Sequence, residues 1–202
     1  MMADARRHQP ASRRFARLLT ELLAPAPTAA VLLIAVAMHS APTATAALRW
    51  AGIAVLFGCV LPFLYIIRGV RRHQLSDHHI HVRQQRPIPI LVGLASVLAG
   101  FALLTRLGAP HGLLVVIVAM AAGLIVSLLI TLVWKISVHT GTVAGTVVIL
   151  ALVFGPVLLI LEGLALAVGW ARVRLGDHTV AQVIGGGCIG AVVAAATVLV
   201  LR

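Results

Sequence analysis

The hydrophobic pattern of this chain runs in long unbroken stretches and does not alternate. Apolar residues fill about 27–48, 50–67, 88–105 and 112–134. Each run is long enough, or nearly so, to carry a helix across a hydrocarbon core of ~30 Å. His39, Ser40 and Pro42 weaken the first run. A secretory signal peptide is its alternative reading, because a basic stretch precedes it and small residues follow; the long pre-region argues for a retained span. Beyond His139 the chain stays apolar to Trp170, with a break at Gly155-Pro156. That stretch is too long for one crossing and predicts a hairpin of two short helices. The last run covers about 178–201.

The expected architecture is all-α: a polytopic transmembrane helix bundle of about six or seven membrane helices, occupying 25–202 as one integral membrane domain. Residues 1–20 are polar, Arg-rich and without a packing pattern, so 1–24 is expected as a partly ordered basic tail. No soluble domain and no long internal repeat is visible.

Composition points the same way. The chain is 61% hydrophobic and 10% charged, where a soluble domain carries about a quarter charged residues. The net charge of +11 does not imply nucleic-acid binding, because the cations lie in short loops between apolar runs with no aromatic interleaving. Cys59 and Cys188 sit inside apolar runs and read as small buried residues, not as a disulfide or metal pair.

Helix parity organises the polar segments. Two helices separate the N-terminal tail from the 68–87 loop, two more lead to 135–139, and another two lead to Arg172. All four segments therefore face one side of the membrane. That side collects Arg6, Arg7, Arg13, Arg14, Arg17, Arg68, Arg71, Arg72, Arg83, Arg86, Lys135, Arg172 and Arg174, against Arg49, Arg106 and Arg202 opposite. The positive-inside rule makes the basic side, with the N-terminus, cytoplasmic in a cell membrane.

Three of these segments carry candidate chemistry. In Gly169–Gly187, Asp177 is the expected N-cap of the last helix. His178 then falls in the first turn, where backbone N–H groups and the helix dipole favour an anion. Gln182 lies one turn on, on the same face. Its carbonyl can accept from one imidazole nitrogen and leave the other free as a nucleophile. Arg172 and Arg174 are placed to clamp phosphate oxygens. The plainer reading makes these residues headgroup anchors. In the second segment Ser137 either caps a new helix or binds phosphate, and His139 either protonates a leaving oxygen or is structural. Trp134 reads as an interfacial residue. Lys135 is the only lysine among 16 basic residues, which marks a specifically wanted ammonium or is chance. The third segment is Ser76–Pro87. Its His78, His79 and His81 suggest a metal, but neither a cysteine nor a clear carboxylate set completes the site, so no metal is expected. Pro87 suits a helix start and fixes Arg86 at the membrane edge.

Taken together the three segments resemble the type 2 phosphatidic acid phosphatase superfamily, and most of all its divergent actinobacterial members. The family pattern is Lys-x6-Arg-Pro, then Pro-Ser-Gly-His, then Ser-Arg-x5-His-x3-Asp. Here it reads His79-x6-Arg86-Pro87, Ile136-Ser137-Val138-His139 and Ala171-Arg172-x5-His178-x3-Gln182. The resemblance spans about 76–190. It implies a metal-independent phosphatase without cofactor, in which His178 attacks phosphorus, His139 protonates the departing oxygen and then activates water, and Arg86, Arg172 and Ser137 stabilise the charged oxygens. Gln182 replaces the family's carboxylate, His79 its lysine and Val138 its glycine, and two membrane spans separate the first two motifs. Lys135 is the expected source of the missing ammonium.

Gly141-x3-Gly145 and Gly186-x3-Gly190 allow close helix contact and are expected to bring His139 to His178, with a homodimer through the same faces as the alternative. Glu162, inside an apolar stretch, is a functional candidate. The first expectation is thus a lipid phosphatase acting on a polyprenyl or diacylglycerol (di)phosphate, with the bilayer and a phosphorylated lipid as its partners. The second is a phospholipid-binding or scaffold protein with the same pocket and no turnover. A transporter is third, disfavoured by the single polar face.

Overall fold

In the computed structural model residues 10–201 are described; residues 1–9 and 202, with Arg6, Arg7 and Arg202 of the charge asymmetry, lie outside them. All regular structure among the described residues is helical. Five stretches are long and apolar enough to cross a membrane: Ala44–Arg71, Arg83–Arg106, His111–Val133, Pro156–Arg174 and Val180–Leu201. A sixth arises if α1 (Ala11–Leu22) and α2 (Pro25–Ser40), which meet at a 44° bend, form one broken span. The protein is a multi-pass membrane protein. Its outward faces carry large apolar side chains such as Val133, Ile160 and Val200, as a surface solvated by lipid requires.

The first apolar run is divided where its polar residues stand. α2 ends at Ser40, Ala41 is extended ahead of Pro42, and Thr43 caps α3 (Ala44–Val55) by accepting from the Ala46 N–H. Residues 44–48 therefore open the second rod and do not close the first. That rod runs through a π-helical turn at Leu56–Val60 into α4 (Leu61–Arg71). The wider turn accommodates Pro62, which can neither donate to the ladder nor fit a regular helix interior. Ser96 of α5 (Pro87–Arg106) donates to the carbonyl of Phe57 in that turn at 2.6 Å.

The residues expected to be a tail behave differently from expectation over 11–22. α1 lies against α8 (Glu162–Arg174), with Ala16 and Thr20 buried one turn apart and the Phe15 ring tilted against that of Trp170, centroids 6.2 Å apart. The packing face uses two small residues, so no hydrophobic stripe announces it.

The apolar core joins Leu32, Leu33 and Val36 of α2, Ala51 and Ala54 of α3, Val97 and Leu104 of α5, Leu113, Val116 and Ile117 of α6 (His111–Val133), and Ala194 and Val198 of α9 (Val180–Leu201). Cys59 belongs to it. Cys188 does not: it lies exposed on α9, because only one face of that helix meets the bundle. α7 (Val138–Phe154) and the Pro156–Arg174 rod form the expected hairpin. At 17 residues α7 is shorter than the membrane-length helices. Ser137 starts it by accepting from the Thr140 N–H, and Gly155, at φ +126°, ends it in a conformation only glycine adopts freely. Glu162 occupies the first turn of α8, where a carboxylate suits the helix dipole.

α7 and α9 meet backbone to backbone. A Cβ on Gly141 would stand 2.9 Å from the Gly186 carbonyl oxygen, and one on Gly145 3.0 Å from that of Gly190. A Cβ on Gly186 or Gly190 would collide with the backbone of Ser137 or Gly141. Both small-residue motifs are thus consumed within the chain, so a homodimer needs a different surface. This seam sets the N-terminal ends of α7 and α9 side by side.

Candidate functional site

Three chain corners converge at that end: the 73–86 loop, the 134–137 link and the α8–α9 turn. The last is shaped by a Schellman motif. Gly176, at φ +83°, ends α8, with its N–H on the Val173 carbonyl and the Asp177 N–H on the Arg172 carbonyl at 3.0 Å. The chain then reverses into α9. The cap of α9 is Thr179 and not Asp177. The Gln182 N–H donates to Thr179 Oγ1 (3.3 Å) and the Thr179 N–H to Gln182 Oε1 (3.2 Å), a reciprocal capping box. His178 therefore sits just ahead of the helix and not in its first turn. Asp177 is released for another task.

That task is Arg172. Its guanidinium is 1% exposed, and Nη1 stands 3.0 Å from Asp177 Oδ2. The contact is close but off the hydrogen-bond direction: Nε, Nη1 and Nη2 are buried and none has a hydrogen-bond partner among the described residues. Asp177 Oδ1 in turn lies 2.7 Å from His81 Nε2, and His81 Nδ1 lies 2.8 Å from Asp77. Burial alone would push the Asp77 carboxyl up, but hydrogen bonds from the His81 ring, the Ser76 hydroxyl and the His81 N–H together bring it down to about 2.

Arg86 is buried as well, and it is satisfied. Its Nε donates to the Ile80 carbonyl and its Nη1 to the Ile136 carbonyl, both at 2.9 Å. It ties the 73–86 loop to the 134–137 link. Ile80 is held at φ +49°, a costly conformation for a β-branched residue. Lys135 Nζ donates to the Asp177 carbonyl at 2.7 Å, which joins the link to the α8–α9 turn, and the Ser137 N–H donates to the Gln182 carbonyl at 3.1 Å. The Ser137 hydroxyl pairs with Thr140 Oγ1 at 2.9 Å besides capping α7.

His178 is buried, with Nδ1 3.2 Å from Gln182 Oε1. The Thr179 N–H on the same oxygen fixes which end of the amide faces the ring. Because that oxygen only accepts, Nδ1 carries the proton and Nε2 keeps its lone pair. Burial first, then Arg172, Arg86 and Lys135, push the imidazole down to about 3 against the opposing pull of Gln182. At neutral pH it is uncharged. His139 is buried with Nε2 unpartnered among the described residues, and it lies within electrostatic reach of Arg172, His79, His178 and Arg86. The ring of His79 stands edge-on to that of His139, centroids 5.0 Å apart.

The structure thus gathers His79, Arg86, Lys135, Ser137, His139, Arg172, His178 and Gln182. It does not gather Arg174, which is exposed and turns to the Ser12 hydroxyl of α1 at 3.2 Å. Residues 172 and 174 point to different sides of a helix whose period is 3.6. Sequence reasoning missed Asp177 as the partner of Arg172, His81 and Asp77 behind it, and Glu21. Glu21 Oε1 lies 3.0 Å from His79 Nε2 and 3.3 Å from His78 Nε2. The carboxylate judged missing beside these histidines comes from α1, and only the docking of that helix could reveal it.

Comparison with family models, with curated proteins and with solved structures finds no match. Function must be read from the residues.

Proposed function

We propose that the protein is a lipid phosphatase that transfers phosphate through His178. The observation that carries this reading is Arg172: a buried guanidinium whose three nitrogens lack hydrogen-bond acceptors, beside a neutral imidazole with a free lone pair. A buried unsatisfied cation is costly, and a phosphate dianion supplies both charge and acceptors. The resemblance to the type 2 phosphatidic acid phosphatase superfamily supports the same assignment. His178 Nε2 attacks phosphorus as the bond to the lipid oxygen breaks, and His139, having taken up a proton as the phosphate enters, gives that proton to the oxygen. His139 then takes a proton from water, whose oxygen attacks the phosphohistidine and frees inorganic phosphate. Arg172 holds the equatorial oxygens throughout, with Lys135 close by.

The lipid part of the reading rests on the surroundings. Val133, Trp134, Val180 and Ile184 are exposed on the outer surface beside the site, which suits a polyprenyl or diacylglycerol tail lying against α9 with its head turned inward. A second reading, phosphate binding without turnover, is favoured by one observation: Gln182 orients His178 but cannot neutralise it when it becomes charged.

Phosphate release from a panel of polyprenyl and diacylglycerol phosphates separates these readings. His178→Ala is expected to abolish turnover and phosphoenzyme together. His139→Ala is expected to abolish steady release while leaving trapped phosphoenzyme. Full turnover in His178→Ala would end the mechanism, and tight lipid binding without release in the wild type would select the second reading.

The site is assigned to the cytoplasmic face, on the charge asymmetry. In a variant with Gln74→Cys as its only cysteine, an impermeant thiol reagent is expected to label opened membranes but not intact cells. Labelling of intact cells would reverse the orientation.

A further inference from the structure

Of the Glu21–His78–His79 cluster only His79 borders the candidate phosphate site, none of the three takes part in the proposed phosphoryl-transfer steps, and the geometry is that of a ligand set. His78 Nε2 and His79 Nε2 both converge on one carboxylate oxygen, Glu21 Oε1, at 3.3 and 3.0 Å. The three ligand atoms lie within 4.8 Å of one another. Bonds of 2.0–2.1 Å in a tetrahedral site place neighbouring ligand atoms ~3.3 Å apart. The two separations to Glu21 are close to that edge and the third lies within 4.8 Å, so an ion can enter with shifts of side-chain torsions. The two rings already lie side by side, centroids 4.0 Å apart and tilted by 42°. Glu21 and His78 are open to solvent, at 56% and 39% side-chain exposure, which gives an ion a way in.

We propose that Glu21, His78 and His79 bind one divalent ion of the zinc class and that the ion fastens the C-terminal turn of α1 to the 73–86 loop. The ligand types select the ion. Two imidazoles and one carboxylate suit zinc, cobalt or nickel, whereas magnesium and calcium favour sites made wholly of oxygen. Three protein ligands leave a fourth position for water. His81, the remaining histidine of the motif, is excluded by its contacts with Asp77 and Asp177.

The site links two segments far apart in sequence. α1 is amphipathic and reaches the bundle through α8, and Glu21 is its tie to the loop that carries Arg86. His79 also stands against His139, so an ion at this place fixes one wall of the neighbouring pocket. This inference does not depend on the phosphatase reading, because ion binding is measured without substrate.

The test uses untagged full-length protein in detergent, stripped with chelator and titrated with Zn2+ and with Co2+. The expected result is one ion per chain, a cobalt absorption spectrum of tetrahedral intensity and a higher Tm with Zn2+ that Mg2+ does not reproduce. Glu21→Gln and His78→Ala are each expected to weaken zinc binding by more than about tenfold and to remove the Tm shift. His111→Ala, at the far end of α6, is expected to leave both unchanged. A wild-type protein that binds no more zinc or cobalt than the Glu21→Gln/His78→Ala/His79→Ala variant overturns the proposal. So does unchanged binding in Glu21→Gln, which would leave loop histidines without α1.

Discussion

Two buried arginines stand at neighbouring corners of one polar cluster and do opposite things. Arg86 gives its Nε and Nη1 protons to the carbonyls of Ile80 and Ile136. Arg172 gives none to any described residue and has only the off-axis carboxylate of Asp177. The first corner is complete and holds two loops together. The second is incomplete and has room in its hydrogen-bond inventory for an anion. The family resemblance implies the same task for both, phosphate binding. The difference lies in what surrounds them: a left-handed Ile80 aims a carbonyl at Arg86, whereas the Schellman turn after α8 spends the Arg172 carbonyl on Asp177 and leaves the guanidinium facing inward.

Exchanging the two corners for isosteric apolar side chains is the strongest way to break that contrast. Arg172→Met is expected to lower turnover by about 10²–10³-fold, the usual loss when one donor to a charged transition state is removed. Its loss of thermal stability should be smaller than that of Arg86→Met, since Arg172 makes no hydrogen bonds to lose and Asp177, deprived of its cation, keeps the His81 contact. Arg86→Met is expected to do the reverse in proportion. It strands two buried carbonyls, each worth ~1–3 kcal/mol when unsatisfied, and so lowers Tm by several degrees for a chain of this size. Phosphate-release assays and thermal unfolding in the same detergent provide the comparison. Equal losses of stability in both variants would erase the distinction between a clasp and an anion seat.

Acidity sharpens it further. The His178 imidazole is lowered to about 3 in the folded protein, so between its ordinary value near 6.5 and that point the unfolded chain binds a proton the folded one refuses. Stability therefore is greatest above pH 6.5 and falls as pH drops toward 3. Asp77, lowered from 3.8 to about 2, adds a second loss across that lower window. Arg172 is the largest charged neighbour of His178, after burial itself. In Arg172→Met the fall between pH 6.5 and 3 should accordingly be shallower, while the Asp77 step below pH 4 remains. Denaturant or thermal titrations across pH read both. An unchanged profile would mean that Arg172 does not act on His178.

Much of the fold was legible because lipid removes alternatives. Long apolar runs leave the backbone no choice but helices, and parity then puts the polar segments on one side. The site was legible where spacing is local: His178 and Gln182 lie four residues apart and do meet, although His178 stands ahead of α9 and it is the capping box that turns the amide toward it. It was illegible where contacts are made by packing. Nothing in the order Arg172–Asp177 says whether the carboxylate caps a helix or faces a guanidinium; the capping box of Thr179 and Gln182 decides it. Nothing near His78 and His79 in sequence points to Glu21, 57 residues away. Ala16 and Thr20 dock α1 without a hydrophobic stripe. Arg174 was misassigned because adjacency to Arg172 in sequence was read as adjacency in space, two residues being over half a helical turn.

The smallest effect concerns Lys135, which lies between the two corners. Its ammonium donates to the Asp177 carbonyl, one residue before His178, and burial first, then Arg86 and Arg172, push it below the usual lysine range, with Asp177 and Asp77 opposing. Asp177 and Asp77 already offset part of that cost, and under the proposed function an incoming phosphate would do so for Lys135 and Arg172 at once. An ammonium is a compact charge on a flexible stem, so it can keep its carbonyl contact and still follow the phosphate from lipid oxygen to His178. Lys135→Arg preserves the charge but needs a fixed fork, for which one carbonyl offers no second acceptor. It is expected to reduce turnover a few-fold with stability unchanged. Lys135→Met removes the charge and the tie to Asp177, and about a tenfold loss of turnover with a raised KM is expected. Steady-state kinetics on the best lipid phosphate distinguish the cases. Wild-type rates in both variants would leave Lys135 as a tie between loops, a counterpart of the Arg86 clasp, and would leave Arg172 as the pocket's anion seat without its help.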